Sequence, residues 1–222
     1  MDGQLFSIQI GRIAPLGRLR VPSAFVKRAV DGPVEVGLLG IEGDEQADLS
    51  VHGGPEKAVY AYAAAHYLEW VRDCPQHADQ LMRWGAFGEN LSIGNMVEED
   101  IRVGDVHAIG TAALQVCQPR QPCFKFAEVF GDARLPKAMV RNGRAGWYYR
   151  VLDPGRFEAG DAVRLVERPN PDFAFTRLIE IVNRGSASPG EIGQLAEMEG
   201  VASRIRAKAR AALSAGGPLG TL

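Results

Sequence analysis

The sequence predicts a mainly β protein: an antiparallel β-barrel with peripheral helices, followed by a small C-terminal helical unit. Two observations carry this. Short strand-like segments recur at close spacing with few helices between them, which suits an antiparallel barrel better than alternating βαβ units. At Pro169-Asn170-Pro171 the strand pattern stops, and the rest reads as three short helices. Residues 1–168 are therefore assigned to the barrel domain and 169–222 to a three-helix domain with a loose tail.

The elements follow in order. Leu5 to Ile10 alternates as an opening strand. Ala24–Val30 and Val34–Leu39 read as a hairpin around Asp31-Gly32-Pro33. Ala58–Ala61 is a strand, Ala63–Asp73 a helix ended by Cys74-Pro75, and Ala78–Trp84 a short helical piece. Leu91–Ile93 is a strand, and Ile101–Gly110 with Ala112–Cys117 form strands around Gly110-Thr111, with Gly104-Asp105 as a turn before the first of them. Phe124–Phe130 and Leu135–Asn142 read as helices stopped by Gly131 and Gly143. Gly146–Leu152 is an aromatic strand, and a last hairpin turns at Gly160-Asp161. In the tail, Thr176–Asn183 is a helix stopped by Gly185. Ser188-Pro189-Gly190-Glu191 is a capping box opening a second helix, and Val201, Ile205, Ala209 and Leu213 mark a third. Arg204, Arg206, Lys208 and Arg210 read as its solvated face.

Composition narrows the function. Hydrophobic residues make up 46% and charged residues 23%, ordinary for a soluble globular chain of 222 residues. A formal net charge of -2 leaves no electrostatic footprint for nucleic acid. No apolar run approaches the roughly 20 residues of a membrane span, and Met1–Arg20 lacks the pattern of a signal peptide. Neither nucleic acid nor membrane is expected as a partner. Cys74, Cys117 and Cys123 form no CxxC and leave an odd one over, which fits a reducing cytoplasm better than a disulfide framework.

Three dense stretches are candidates for a site. In Gln118-Pro119-Arg120-Gln121-Pro122-Cys123-Phe124-Lys125, two prolines stiffen the chain before a thiol flanked by two cations. Cys123 falls near a helix start, where thiolate is favoured. A small buried apolar cysteine is the competing reading. Cys117 reads as a packing residue at a strand end. Gly40 to Lys57 is long, polar and Gly-rich. His52-Gly53-Gly54 lets backbone N–H groups approach an oxyanion, and Lys57 adds a cation. A solvated surface loop explains the same residues. In Phe87-Gly88-Glu89-Asn90-Leu91, Asn90 suits a loop anchor or a ligand's polar edge, and Glu89 a base without a visible partner. His66 reads as a packing residue.

Together, Gly43-Asp44-Glu45-Gln46-Ala47-Asp48 with Val51-His52-Gly53-Gly54-Pro55, Phe87-Gly88-Glu89-Asn90-Leu91 and the Cys123 stretch resemble the MOSC domain. That family is named for the C-terminal domain of molybdenum cofactor sulfurase. With its helical tail the chain is similar to the bacterial YiiM-like group, over roughly Ser23–Arg168 as barrel and Phe173–Leu213 as tail. The resemblance implies a β-barrel that binds a molybdopterin-type molybdenum cofactor, with Cys123 as metal ligand and catalytic residue. It also implies His52, Gly53, Gly54, Lys57, Asn90 and Arg120 as cofactor contacts. The activity implied is reduction of N-hydroxylated bases and related small molecules to amines. A family-level association with pyridoxal phosphate comes with it. The sequence has no GxGxxG after a strand for flavin or nicotinamide, so a separate electron-donor redox protein is expected as partner. A sulfur carrier using a Cys123 persulfide, or a non-catalytic cofactor-binding module, are the alternatives.

Overall fold

The computed structural model describes residues 2–220. Its strands are β1 (Gly3–Ile10), β2 (Ala14–Leu16), β3 (Val21–Ser23), β4 (Arg28–Val30), β5 (Val34–Gly37), β6 (Gly40–Ile41), β7 (Val59–Ala63), β8 (Leu91–Gly94), β9 (Val106–Ile109), β10 (Ala112–Pro119), β11 (Trp147–Asp153), β12 (Gly155–Phe157) and β13 (Ala162–Glu167). Seven of them close a barrel in the order β13-β9-β10-β11-β7-β8-β1, and β1 returns to β13 through Gly3↔Val163. Pairing is antiparallel throughout the barrel except between β7 and β8. The predicted barrel is present, and β1 extends it ahead of Ser23.

Helices α1 (Ala65–Asp73) and α2 (Ala78–Leu81) follow β7, while α3 (Phe124–Phe130) and α4 (Leu135–Asn142) fill the connection from β10 to β11. These four cover one outer side of the barrel, because β7 is buried on both faces. Side chains alternate across a strand. Val59, Ala61 and Ala63 therefore join the barrel core, while Tyr60 and Tyr62 join a second cluster with Trp70, Phe87 and Phe126.

The tail holds α5 (Phe175–Arg184), α6 (Pro189–Glu197) and α7 (Ser203–Ala215). The capping box is formed: Ser188 accepts from the Glu191 N–H, and Glu191 accepts from the Ser188 N–H at 2.7 Å. Phe175, Leu178, Leu195 and Ala209 share one continuous hydrophobic cluster with the barrel residues Leu114 and Val116. The basic side of α7 is not wholly solvated. Arg206 donates to Met198 O at 2.8 Å and Arg210 to Ala196 O at 3.0 Å, satisfying carbonyls at the end of α6.

Three expectations are corrected. β4 and β5 form no hairpin: β4 pairs with β1, and β5 with β6 and β12. β12 does not pair with β13, which instead runs between β9 and β1 to close the barrel. The strand expected from Ile101 starts only at Val106, after the expected turn at Gly104-Asp105. Ile101 and Val103 are buried, but Gly104 lies at φ +85° and the Asp105 carboxylate holds the Arg102 N–H at 2.8 Å, making a core-lining turn. Alternation reports which face is buried, not which strand lies alongside.

Phe175 is fully buried in the shared cluster. Phe175→Ala should cost about 3–5 kcal/mol, and thermal unfolding followed by circular dichroism should still show one transition for barrel and tail together.

Candidate active site

Loop residues around Asp44, His52, Gly88 and Cys123, together with the outward-facing Tyr60 and Tyr148, line a half-open cleft. The structure brings His52, Gly53, Lys57, Asn90, Arg120 and Cys123 to its wall. Gly54 lines a neighbouring groove with Gln118 and Arg204 instead.

Cys123 is the N-cap residue of α3, placed there by the rigid segment that follows β10. Burial pushes its thiol up. The opposing effects prevail: a hydrogen bond with His52, the Arg120 charge and the Lys125 backbone N–H bring it down to about 7. The other two thiols behave oppositely. Cys117 is fully buried and donates to Glu56 O at 3.0 Å, and burial raises it to about 12. Cys74 is raised by burial and by Asp73.

Arg120 supplies a buried cation. Its guanidinium lies 5.4–5.7 Å from the ring centroids of Phe126, Tyr60 and Phe25, and donates to Met139 Sδ at 2.9 Å. Among the described residues no carboxylate reaches it within ion-pair distance. A buried charge without a partner is costly, so the geometry asks for an anion. His52 Nδ1 is likewise buried without a hydrogen-bond partner. Gly53 and Gly54 sit at φ +97° and +80°, a backbone that only glycine adopts without strain. Lys57 donates to Val51 O at 2.5 Å and lies 6.0 Å from the Tyr148 ring centroid.

Asn90 has an architectural role. Its Oδ1 accepts from the Tyr60 N–H at 3.1 Å, and its Nδ2 donates to Gln9 O at 3.1 Å and Asp44 Oδ2 at 2.9 Å. Both of its N–H groups are thus committed inside the wall. Asp44 in turn accepts from the Gly11 N–H at 2.7 Å and pairs with Lys27. Burial lowers the Lys27 ammonium, and Asp44 opposes that shift. Glu89 is fully buried and accepts from Gly85 N, Phe87 N, Ser92 Oγ and Tyr67 Oη, so it serves as an internal staple. His66 pairs with Glu98 at 2.6 Å away from the cleft; burial lowers its imidazole, but the Glu98 hydrogen bond and charge outweigh that and raise it overall.

Sequence reasoning missed Lys27, Tyr60, Phe25 and Tyr148, which all line the cleft. Asp44 was visible only as part of a motif. The tyrosines lie on strands, and nothing local shows that their outward face meets a ligand site.

Residues 48–164 match the MOSC domain. The chain belongs to the MOSC family. It is YiiM-like within it. It is 42% identical over 147 residues to Protein YiiM of Escherichia coli, covering 66% of this chain and 65% of that protein, just under two thirds. A protein named "Reductase" from Gibberella moniliformis is 39% identical over 84% of this chain, though the match spans only 33% of its length. Among solved structures, YiiM from Geobacillus stearothermophilus superposes with a TM-score of 0.78 at 31% identity, covering 95% of this chain and 99% of that one. No helix among the described residues is long and apolar enough to cross a membrane.

The residues present fit the molybdenum cofactor that the resemblance implies. Cys123 offers a soft thiolate, Arg120 a buried cation lacking its anion, and His52 an unpartnered ring nitrogen. The thiol can be probed directly. Iodoacetamide should alkylate Cys123 with a rate that reaches half its maximum near pH 7, while Cys117 stays unreacted below the pH of unfolding; mass spectrometry of the peptides reads both. His52→Ala should move the Cys123 midpoint upward, because the group that stabilises the thiolate is gone.

Proposed function

We propose that this protein is a molybdenum-cofactor-dependent oxidoreductase that reduces N-hydroxylated bases and related compounds to amines. The observation that carries the reading is the pairing, in one cleft, of a thiol held near pH 7 with a buried guanidinium that has no carboxylate partner. The relative named "Reductase" supports the reaction class. The conversion takes R–NH–OH, two electrons and two protons to R–NH2 and water, with the N–O bond broken. The electrons come from a separate redox protein. Cysteine usage supports a reducing, cytoplasmic setting.

When bound, the cofactor supplies two-electron oxygen-atom chemistry. The chain's own residues prepare for it. Cys123 would be the metal ligand, and the His52 hydrogen bond and Arg120 charge bring its thiol down to about 7, so that a large share is thiolate at neutral pH. Arg120 and Lys57 accept the anionic group of the cofactor, aided by the Gly53 backbone. The phosphate of pyridoxal phosphate would meet the same cations; the thiolate favours the metal. Phe25, Tyr60 and Tyr148 wall the cleft and limit water around the guanidinium.

The test begins with protein purified from a host that makes the cofactor. Metal analysis should find molybdenum near one per chain, and the loaded protein with a reductant should convert an N-hydroxylated base to the amine. Cys123→Ala and Cys123→Ser should abolish that conversion and leave the fold intact, whereas Cys74→Ala should keep most of it. Arg120→Gln should weaken cofactor retention by roughly tenfold or more, the value of one charge-assisted hydrogen bond. Metal-free protein carrying a Cys123 persulfide would overturn the reading in favour of a sulfur carrier.

A further inference from the structure

Glu56 lies within the segment that carries His52, Gly53 and Lys57, yet it lines the neighbouring groove rather than the cleft. Its backbone oxygen accepts from Cys117 Sγ at 3.0 Å and Gln118 Nε2 at 2.8 Å. Its carboxylate accepts from Arg150 Nη2 at 2.6 Å, from Ser203 Oγ at 2.8 Å, and from the Ser203 N–H at 2.8 and 3.0 Å. Ser203 is the first residue of α7, whose own N-cap, Ala202, provides no side-chain acceptor. A helix start leaves N–H groups without partners, and here a carboxylate far away in the chain satisfies one. Ala202 in turn donates its N–H to Cys117 O at 3.0 Å, so α7 is fastened to β10 beside the same turn.

The bonds inside the segment shape it without placing it. Asp48 accepts from Ser50, and Lys57 donates to Val51 O. Both would survive a movement of the whole segment. Placement comes from its two ends. Asp44 and Glu45 tie one end to Gly11, Arg12 and Ile13, and Glu56 ties the other to β10, β11 and α7. Between Glu56 and His52 stand only Pro55 and two glycines at positive φ. We propose that Glu56 is a positioning residue through which the C-terminal helical unit holds His52 against Cys123. The helical tail is thereby part of the site's machinery. The inference rests on the geometry of the cleft and goes beyond the cofactor reading.

The experiment uses full-length protein without cofactor, so its failure is separate from failure of the molybdenum reading. Ser203→Pro removes both Ser203 donors to Glu56, leaving the Arg150 contact, and leaves α7 able to form. Proline is favoured at the first helical position, and Ala202 at φ −57°, ψ 140° accepts a following proline. Ser203→Ala keeps the backbone donor and acts as the conservative control. Hydrogen exchange should be about tenfold faster at residues 51–54 in Ser203→Pro and Glu56→Ala, with amides of β1 unchanged. Alkylation of Cys123 at pH 7 should change at least ~3-fold in the same two variants. Ser203→Ala should stay close to the wild type in both readouts. Glu56→Gln, which keeps the side-chain volume, carries the test if Ser203→Pro does not fold. Wild-type exchange and alkylation in Ser203→Pro would show that the tail plays no part. Exchange raised equally in β1 would reduce Glu56 to a general stabiliser, and either result overturns the proposal.

Discussion

The strand Val59–Ala63 is buried on both faces, and the site depends on that constraint. Inside it, small and branched side chains fill the barrel; outside it, Tyr60 and Tyr62 anchor the aromatic cluster under the first four helices. A strand clamped between two cores cannot slip by one residue without reversing every side chain. Its register therefore sets the height of Tyr60 in the cleft. Through the Tyr60–Asn90 backbone and side-chain bonds it also sets the approach to the next strand. Asn90 passes the same positioning on to Asp44 and so to the polar loop. The chain reaches its functional residues through a short series of hydrogen bonds that begins at a doubly buried strand.

Electrostatic groups in the cleft fall into two kinds. Some are internally satisfied: Lys27 with Asp44, and Glu89 with its ring of donors. They behave as scaffold, since a buried charge that is paired and hydrogen-bonded has nothing left to offer a ligand. Others are left incomplete. Arg120 sits among aromatic rings without a carboxylate, and His52 keeps a ring nitrogen unpartnered. Incomplete groups at adjacent positions around one thiol distinguish a binding site from a structural network. Asn90 and Glu89 are motif residues that fall on the scaffold side.

The segment around Cys123 was legible because its physics is local. Proline geometry, flanking cations and the start of a helix are all properties of eight consecutive residues. Helices α3 and α4 were equally legible, with Gly131 and Gly143 in the left-handed region at their ends. Strand partners were not. The segments after Asp31 and after Asp153 each resemble half of a hairpin, yet they pair with each other across the chain, in a three-stranded sheet separate from the barrel. The non-local role of Glu56 had no local signal at all: an acidic residue beside a lysine in a loop is ordinary.

By itself the sequence determined the barrel-plus-helices class and the one cysteine of three with a thiolate-favouring neighbourhood, while the family came from the resemblance of three motif stretches. The first two depend on composition, spacing or contacts within a few residues. Only the tertiary structure decided which groups are satisfied and which are not. Asn90 turned out committed to the wall, Arg120 buried without its anion, and the helical tail joined to the polar loop through Ser203 and Glu56. Satisfaction of a hydrogen bond or a charge is a property of pairs, and in this chain the deciding pairs lie tens of residues apart, up to 147 between Glu56 and Ser203.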